Sequence, residues 1–241
     1  MQFHSRLSAL GAVFVLSTAF ASAGTITIQM GSYATGQPNL GNANSAMAFD
    51  VGQSHTIPNF TPDGTTTAIS PGTVWNNTLL GTSTWVSYGQ TGPTTPGSGN
   101  PGGAYAPDGN YLFTTQFTLN GNATAFSLSL LADDTVEVFL DGNTANLLEN
   151  FAPGLNGTCQ IDQPNCRDVL TINQLTNPGG LALLTNGPHT LDFEVKQIGG
   201  KNMGLDFTGS VTTITPEPST LLLLGTGLLG SAGALLRRMR S

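Results

Sequence analysis

The stretch FSLSLLADDTVEVFLDGN, residues 126–143, decides the fold of this chain. In its first half Phe, Leu and Leu alternate with Ser, and in its second half Val, Val and Leu alternate around Glu137. A period of two is typical of strands with one buried face. The acidic pair Asp133-Asp134 separates the two runs, and the closing Asp-Gly-Asn is a tight-turn signal. The stretch therefore predicts two strands that flank the acidic pair and are followed by a turn.

The same alternation continues on both sides of this stretch. Upstream, residues 111–119 alternate and end at an Asn-Gly-Asn turn. Downstream, strands are predicted at residues 169–175, 181–184, 191–196 and 205–211, with turns at residues 186–188 and 199–200. Many short strands without helical periodicity predict an all-β chain that folds as an antiparallel β-sandwich.

The N-terminal half carries weaker signals. Strands are predicted at residues 25–30, 46–51 and within the aromatic-rich residues 74–90, with irregular structure at 52–72. Residues 90–108, rich in Gly and Pro, are either a long loop within one domain or a linker that separates residues 24–104 as a subdomain. We assign residues 24–214 to one β-sandwich domain, whose core lies at about 75–214.

Composition and charge restrict the partners of this domain. Charged residues make up only 9% of the chain, which has 31 glycines, and this balance argues against long helices. Between Gly24 and Pro218, three basic residues stand against fourteen acidic ones, so this part has a net charge of −11. Nucleic acid is excluded as a partner, because phosphate binding requires a basic surface. Divalent cations or neutral sugars fit this composition, and solubility alone also explains it.

Residues 1–23 are predicted to be a cleaved signal peptide. A polar start is followed by an apolar run and by Ala-Ser-Ala, so cleavage is expected between Ala23 and Gly24. An uncleaved membrane anchor is the alternative interpretation.

Residues 215–241 have three parts in a fixed order. Pro216-Glu217-Pro218 is stiff and extended, because proline fixes its own φ angle and restricts the preceding residue. Residues 219–236 are uncharged and long enough for a transmembrane helix across a thin bilayer. The basic residues after it would hold that end on the cytoplasmic side; they are Arg237, Arg238 and Arg240. A buried C-terminal helix of a soluble domain is the alternative interpretation.

This order of parts resembles the PEP-CTERM sorting signal of Gram-negative bacteria. The resemblance implies that an exosortase, a membrane enzyme, processes the chain near the Pro-Glu-Pro sequence. It also implies export, anchoring in the inner membrane before processing, and a final location at the cell surface or outside the cell. Proteins with this signal are typical of bacteria that produce exopolysaccharide.

Three segments of the domain resemble jelly-roll modules of the galactose-binding-like and protective-antigen types. They are residues 111–117, 126–143 and 187–195, which match the entry strand, the Ala-Asp-Asp hallmark and the return strand of those modules. The resemblance implies a jelly-roll β-sandwich and, in some members, carbohydrate binding.

Asp133 and Asp134 are the candidate metal ligands. Two carboxylates at a strand end can converge on one Ca²⁺, and Asp141, Asn143 or a loop carbonyl could add oxygen ligands. In protective-antigen-type lectins an Asp-Asp pair holds Ca²⁺ and sugar hydroxyls, so the resemblance implies this role here. The alternative is that both residues only cap the turn. Aromatic residues for stacking against a sugar are available at Trp75, Trp85, Tyr88, Tyr105 and Tyr111.

Cys159 and Cys166 are the only cysteines of the chain. An even pair in an exported protein predicts a disulfide that closes a small loop. A metal pair is the alternative, which the lack of a nearby histidine disfavours.

Catalytic motifs are not found in the sequence. Neither Gly-x-Ser-x-Gly nor His-Glu-x-x-His occurs, and His189 is predicted to be structural. The pair Asp134 and Glu149 could form a glycosidase site, although any acidic β-protein offers such pairs. We therefore predict an exported, non-enzymatic protein of the exopolysaccharide matrix, biofilm or floc. A Ca²⁺-dependent carbohydrate-binding module and a glycan-active enzyme are the alternatives.

Overall fold

The computed structural model separates into two compact units, residues 24–216 and the two chain ends. It describes residues 24–32, 48–52, 64–69, 75–76, 80, 83–88, 106, 108–153, 159, 162–199 and 202–214, and in the tail residues 225, 227–229, 231–232 and 237–238.

The described residues of the first unit form eleven strands and one short helix. The strands are β1 (Thr25–Gly31), β2 (Ala48–Gly52), β3 (Gly64–Ala68), β4 (Val86–Tyr88), β5 (Gly109–Leu119), β6 (Ala123–Asp133), β7 (Thr135–Leu140), β8 (Asn143–Glu149), β9 (Leu170–Asn173), β10 (Gly187–Gln197) and β11 (Gly204–Ile214), and the helix is α1 (Pro178–Leu183).

These strands build two antiparallel sheets. The first sheet has the order β8-β7-β10-β5-β2. The second has the order β9-β6-β11, and both β1 and β4 pair with the free side of β11. β3 joins the sheets, because its start pairs with β2 and its end with β4. The predicted all-β antiparallel sandwich is confirmed.

The core lies between the two sheets. Alternate side chains of β5, β7 and β10 face those of β6 and β11, and the rings of Phe193 and Phe207 stand 4.4 Å apart. In the fold-deciding stretch, Leu128, Leu130 and Val138 all point into this core. The hydrophobic alternation therefore gave the correct inward face of each strand.

A second, smaller apolar cluster covers the outer face of the second sheet. Leu131 points away from the main core and packs with Trp75, Trp85 and the two cysteines. The two indole rings are 4.4 Å apart. The predicted disulfide between Cys159 and Cys166 is present, with Cα atoms 5.4 Å apart, and both cysteines are buried.

Replacing both cysteines by alanine should lower the free energy of unfolding by about 2–3 kcal/mol. The two residues are seven positions apart, so the disulfide closes a short loop and removes little chain entropy from the unfolded state. Urea unfolding of the Cys159→Ala/Cys166→Ala variant measures this loss. Reduction of the unmodified protein serves as the control and should give a loss of similar size; an unchanged midpoint in both would contradict the prediction.

Two local predictions were wrong. Residues 181–184 were expected to be a strand, but Pro178–Leu183 is a helix. Its start is fixed by Asn177, whose side chain accepts a hydrogen bond from the Gly180 N–H at 2.8 Å, and by proline in the first turn. Residues 64–68, expected to be irregular, form β3, because tertiary pairing with β2 and β4 outweighs their weak local pattern.

The ends of the chain are described only in part. The predicted signal peptide, with its cleavage point after Ala23, lies outside the described residues. In the tail, residues 225, 227–229, 231–232 and 237–238 are helical. Among the described residues no helix reaches the length and apolarity that crossing a bilayer requires. The transmembrane helix at 219–236 and the domain limits stay predictions.

Candidate functional site

The acidic pair lies at one end of the second sheet. Asp133 is the last residue of β6, Asp134 follows it through a cis peptide bond, and β7 begins at the next residue in the other sheet. The pair therefore sits where the chain crosses between the two sheets. Neighbouring residues within a regular strand point to opposite faces of the sheet. Because Asp133 and Asp134 lie at the crossover instead, their carboxyl groups can lie close together.

Asp133 is buried beneath the outer apolar cluster, with 5% of its surface exposed. The indole N–H of Trp75 donates a hydrogen bond of 2.6 Å to its Oδ2 atom, and the backbone of Cys159 donates a further one. Its Oδ1 atom has no hydrogen-bond partner. Burial first, and then the charge and hydrogen bond of Asp134, raise the pKa of Asp133 to about 8.

Asp134 is held by the connection between β10 and β11. Its Oδ2 atom accepts a hydrogen bond of 2.7 Å from the Ile198 N–H, and its own N–H donates to the Lys196 carbonyl at 3.2 Å. Only 2% of its surface is exposed. Both carboxyl groups are thus fixed in place by groups from three different parts of the chain.

Gly204 makes room for the Trp75 ring. It is the first residue of β11 and pairs with Asp133. A Cβ atom at this position would lie 2.8 Å from two ring carbons of Trp75. Glycine is therefore needed here for the close approach of the indole ring, and sequence reasoning did not single it out.

A second buried carboxyl group on the same outer face was also missed. Asp206 is fully buried opposite Leu131, and its Oδ1 atom accepts hydrogen bonds from Ser83 Oγ at 2.6 Å and Ser32 Oγ at 3.1 Å. Burial raises the pKa of Asp206 to about 6, and the two serine hydroxyls oppose this shift. The only sequence feature near Asp206 that could have indicated it was the alternation Asp-Phe-Thr in β11.

Two residues that were expected to add Ca²⁺ ligands, Asp141 and Asn143, lie too far from the acidic pair. Asp141 and Asn143 follow the last residue of β7, whereas Asp134 precedes its first, so six residues, about 20 Å of strand, separate them. Asp141 instead contacts His189 Nδ1 at 3.0 Å, and the other ring nitrogen of His189 lies 2.8 Å from the Thr185 carbonyl. His189 thus has two structural contacts.

The aromatic candidates for sugar stacking are mostly internal. Trp75, Trp85 and Tyr111 are buried and take part in the two apolar clusters or their packing, so none of them offers a free ring face. Tyr105 and the side chain of Tyr88 lie outside the described residues.

As a cation site, the acidic pair is incomplete on its own. Within the described part of the chain, no group of three or more His, Cys, Asp or Glu side chains is placed to hold a metal ion. The pair supplies two carboxyl groups and one unpartnered buried oxygen. Ca²⁺ takes six to eight oxygen ligands, so backbone carbonyls and waters would have to provide the others.

The last strand of the β-sandwich, β11, ends at Ile214, two residues before the first proline of the Pro-Glu-Pro sequence. The family model of the PEP-CTERM protein-sorting motif matches residues 215–240. This match confirms the sorting signal predicted from the sequence and supports an exported protein that an exosortase processes at the membrane. No curated protein and no solved structure matches the chain.

Most of the sorting residues lie outside the described part of the tail. These are Pro216, Glu217, Pro218 and Arg240, whereas Arg237 and Arg238 are helical and exposed.

Proposed function

We propose that this chain is a non-enzymatic protein of the cell surface or extracellular matrix, associated with exopolysaccharide in a biofilm or floc. The observation that carries the proposal is the sorting motif at residues 215–240, which begins directly after β11. Exosortase is the processing partner, and the β-sandwich is the part that remains after processing.

The character of the sandwich supports a binding or structural role. The domain carries many more acidic than basic residues, so it attracts cations and repels polyanions, and it does not repel neutral glycans. The carboxyl groups of Asp133 and Asp134 both accept hydrogen bonds within the domain, from the Trp75 indole N–H and the Ile198 N–H respectively. Glu149 pairs with Val138, which lies about 13 Å along β7 from Asp134. This separation is larger than the ~5–10 Å between the two carboxyl groups of a glycosidase, so the register does not support a catalytic pair of Asp134 and Glu149.

Changing Pro216-Glu217-Pro218 to three alanines should abolish processing in a host that contains an exosortase. The chain would accumulate at full length in the membrane fraction, and the surface fraction would lose it, because the extended segment that the enzyme recognises is gone. Fractionation with immunoblotting measures this. Glu149→Ala, the same type of substitution at the half-buried last residue of β8, is the matched control and should be processed normally. Normal processing of the triple variant would reject the proposal.

A second candidate function is Ca²⁺-dependent carbohydrate binding at Asp133 and Asp134. The observation that favours it is the pair of adjacent buried carboxyl groups with an unpartnered oxygen on Asp133. Two such groups repel each other when ionised, and either a shared proton or a divalent cation relieves this repulsion. A bound Ca²⁺ would also supply a coordination position for sugar hydroxyls.

Added Ca²⁺ should raise the melting temperature of the protein at pH 8, and EDTA should reverse the rise. Asp134→Asn keeps the size of the side chain and should remove the response, whereas Asp162→Asn, at an exposed position, should keep it. Differential scanning calorimetry gives the shift, and a glycan array with and without Ca²⁺ gives the sugar. No Ca²⁺ response in the unmodified protein would exclude this candidate.

A further inference from the structure

The first and last strands of the sandwich are neighbours. β1 pairs with β11 in an unbroken antiparallel register from Thr25 with Ile214 to Gly31 with Thr208. Within this ladder the side chains of one pair also interact, because Thr27 Oγ1 and Thr212 Oγ1 form a hydrogen bond of 3.0 Å. The two outermost residues of the folded body therefore face each other, with Cα atoms about 5 Å apart as in any antiparallel pair.

Both processing points lie next to this pair. The predicted signal-peptide cleavage precedes Gly24, one residue before the ladder, and the sorting motif begins at residue 215, one residue after it. The last residues of β11 are also held on their other side. Thr213 is buried and pairs with Ala123, and the Ile214 carbonyl lies against Gly121, where a Cβ atom would approach within 2.8 Å.

The acidic pair lies at the other end of the same strand. Gly204, the first residue of β11, pairs with Asp133, and ten residue steps, about 33 Å, separate it from Ile214. Asp134 and its contacts at Lys196 and Ile198 belong to this distant end as well.

We propose that one end of the β-sandwich faces the membrane and that the opposite end is exposed away from it. The attachment end comprises residues 24–25, 120–122 and 213–214, and it faces the membrane while the chain is anchored. The presenting end, with Asp133, Asp134 and the Trp75 cover, points away from that surface. This inference rests on the sorting function proposed above.

Two cysteine variants at opposite ends of β5 test this orientation. Asn120 is exposed in the turn beside Gly121, at the attachment end. Asp108 is exposed just before Gly109, which pairs with Gln197 near the presenting end. The native cysteines are joined in the disulfide, so a maleimide dye reacts with the new thiol alone. Each labelled full-length chain, produced without exosortase, is reconstituted into phosphatidylethanolamine–phosphatidylglycerol vesicles that contain a headgroup nitroxide quencher.

The dye at Asn120→Cys should lose most of its fluorescence, and the dye at Asp108→Cys should keep most of it. Equal or reversed quenching, in chains that float with the vesicles, would overturn the orientation while leaving the sorting function intact. Chains that do not float with vesicles would overturn both, because the membrane anchoring on which the orientation rests would be absent. Processing by exosortase of the same variants, measured separately, shows whether the substitutions disturb sorting.

Discussion

Replacing Trp75 by alanine is expected to lower the free energy of unfolding by about 3–5 kcal/mol, the range for large-to-small substitutions in a packed core. The Trp75 ring is buried against Trp85 and Leu131 in the outer cluster and approaches Gly204 closely. Its loss would open a cavity and remove the indole N–H that donates to Asp133. Chemical denaturation followed by the fluorescence of Trp85 measures the change.

Trp75→Phe separates the two contributions. This variant keeps most of the ring volume and loses only the donor, so the expected loss is about 1–3 kcal/mol, the range for leaving a buried acceptor unsatisfied. It should also raise the pKa of Asp133 further, since the Trp75 hydrogen bond lowers it. A loss below about 1 kcal/mol for the alanine variant would show that the outer cluster contributes little to stability.

The free energy of unfolding is expected to fall as pH rises from about 4 to about 8 in the absence of divalent cations. Burial raises the pKa of Asp206 from 3.8 to about 6 and that of Asp133 from 3.8 to about 8. In this window the folded chain therefore holds protons that the unfolded chain has released. The contribution of each protonated carboxyl group to the free energy of unfolding is fully present below the pKa of that group in the unfolded chain. It is lost as pH rises through the pKa of the group in the folded chain. For Asp206 alone the loss amounts to about 3 kcal/mol.

Asp206→Asn identifies the source of this pH dependence. Asparagine cannot ionise, so the contribution of Asp206 should disappear and the decline between about pH 4 and pH 6 should become shallower. The contribution of Asp133 should remain across the whole range to about pH 8. Asp162→Asn, at an exposed position, should leave the whole profile unchanged. Urea denaturation in EDTA at several pH values gives the profile. A stability that rises with pH across this window would contradict the assignment of buried, protonated carboxyl groups.

The pH dependence also bears on the Ca²⁺ hypothesis. If a divalent cation binds Asp133 and Asp134, it replaces the proton that the pair holds, and the decline above pH 6 should become smaller when Ca²⁺ is added. An identical profile with and without Ca²⁺ would leave the pair as a structural element of the crossover between β6 and β7.

The sequence by itself determined the β-rich class of the body and the sorting signal. Alternation of apolar and polar residues is a local property, so residues 126–143 could be assigned to strands with the correct inward face. The order of Pro-Glu-Pro, apolar segment and arginines is also local and was sufficient for the sorting motif. The disulfide followed from the presence of only two cysteines.

Only the tertiary structure decided what surrounds the acidic residues. Asp133 receives its hydrogen bond from Trp75, 58 positions away, and Asp206 receives one from Ser32, 174 positions away. Asp141, close to Asp134 in sequence, lies at the opposite end of β7. Burial, pKa and ligand geometry depend on such long-range pairings, and the period of a strand contains no information about which distant segment covers it. For the same reason, the meeting of the first and last strands at one end became visible only in the fold.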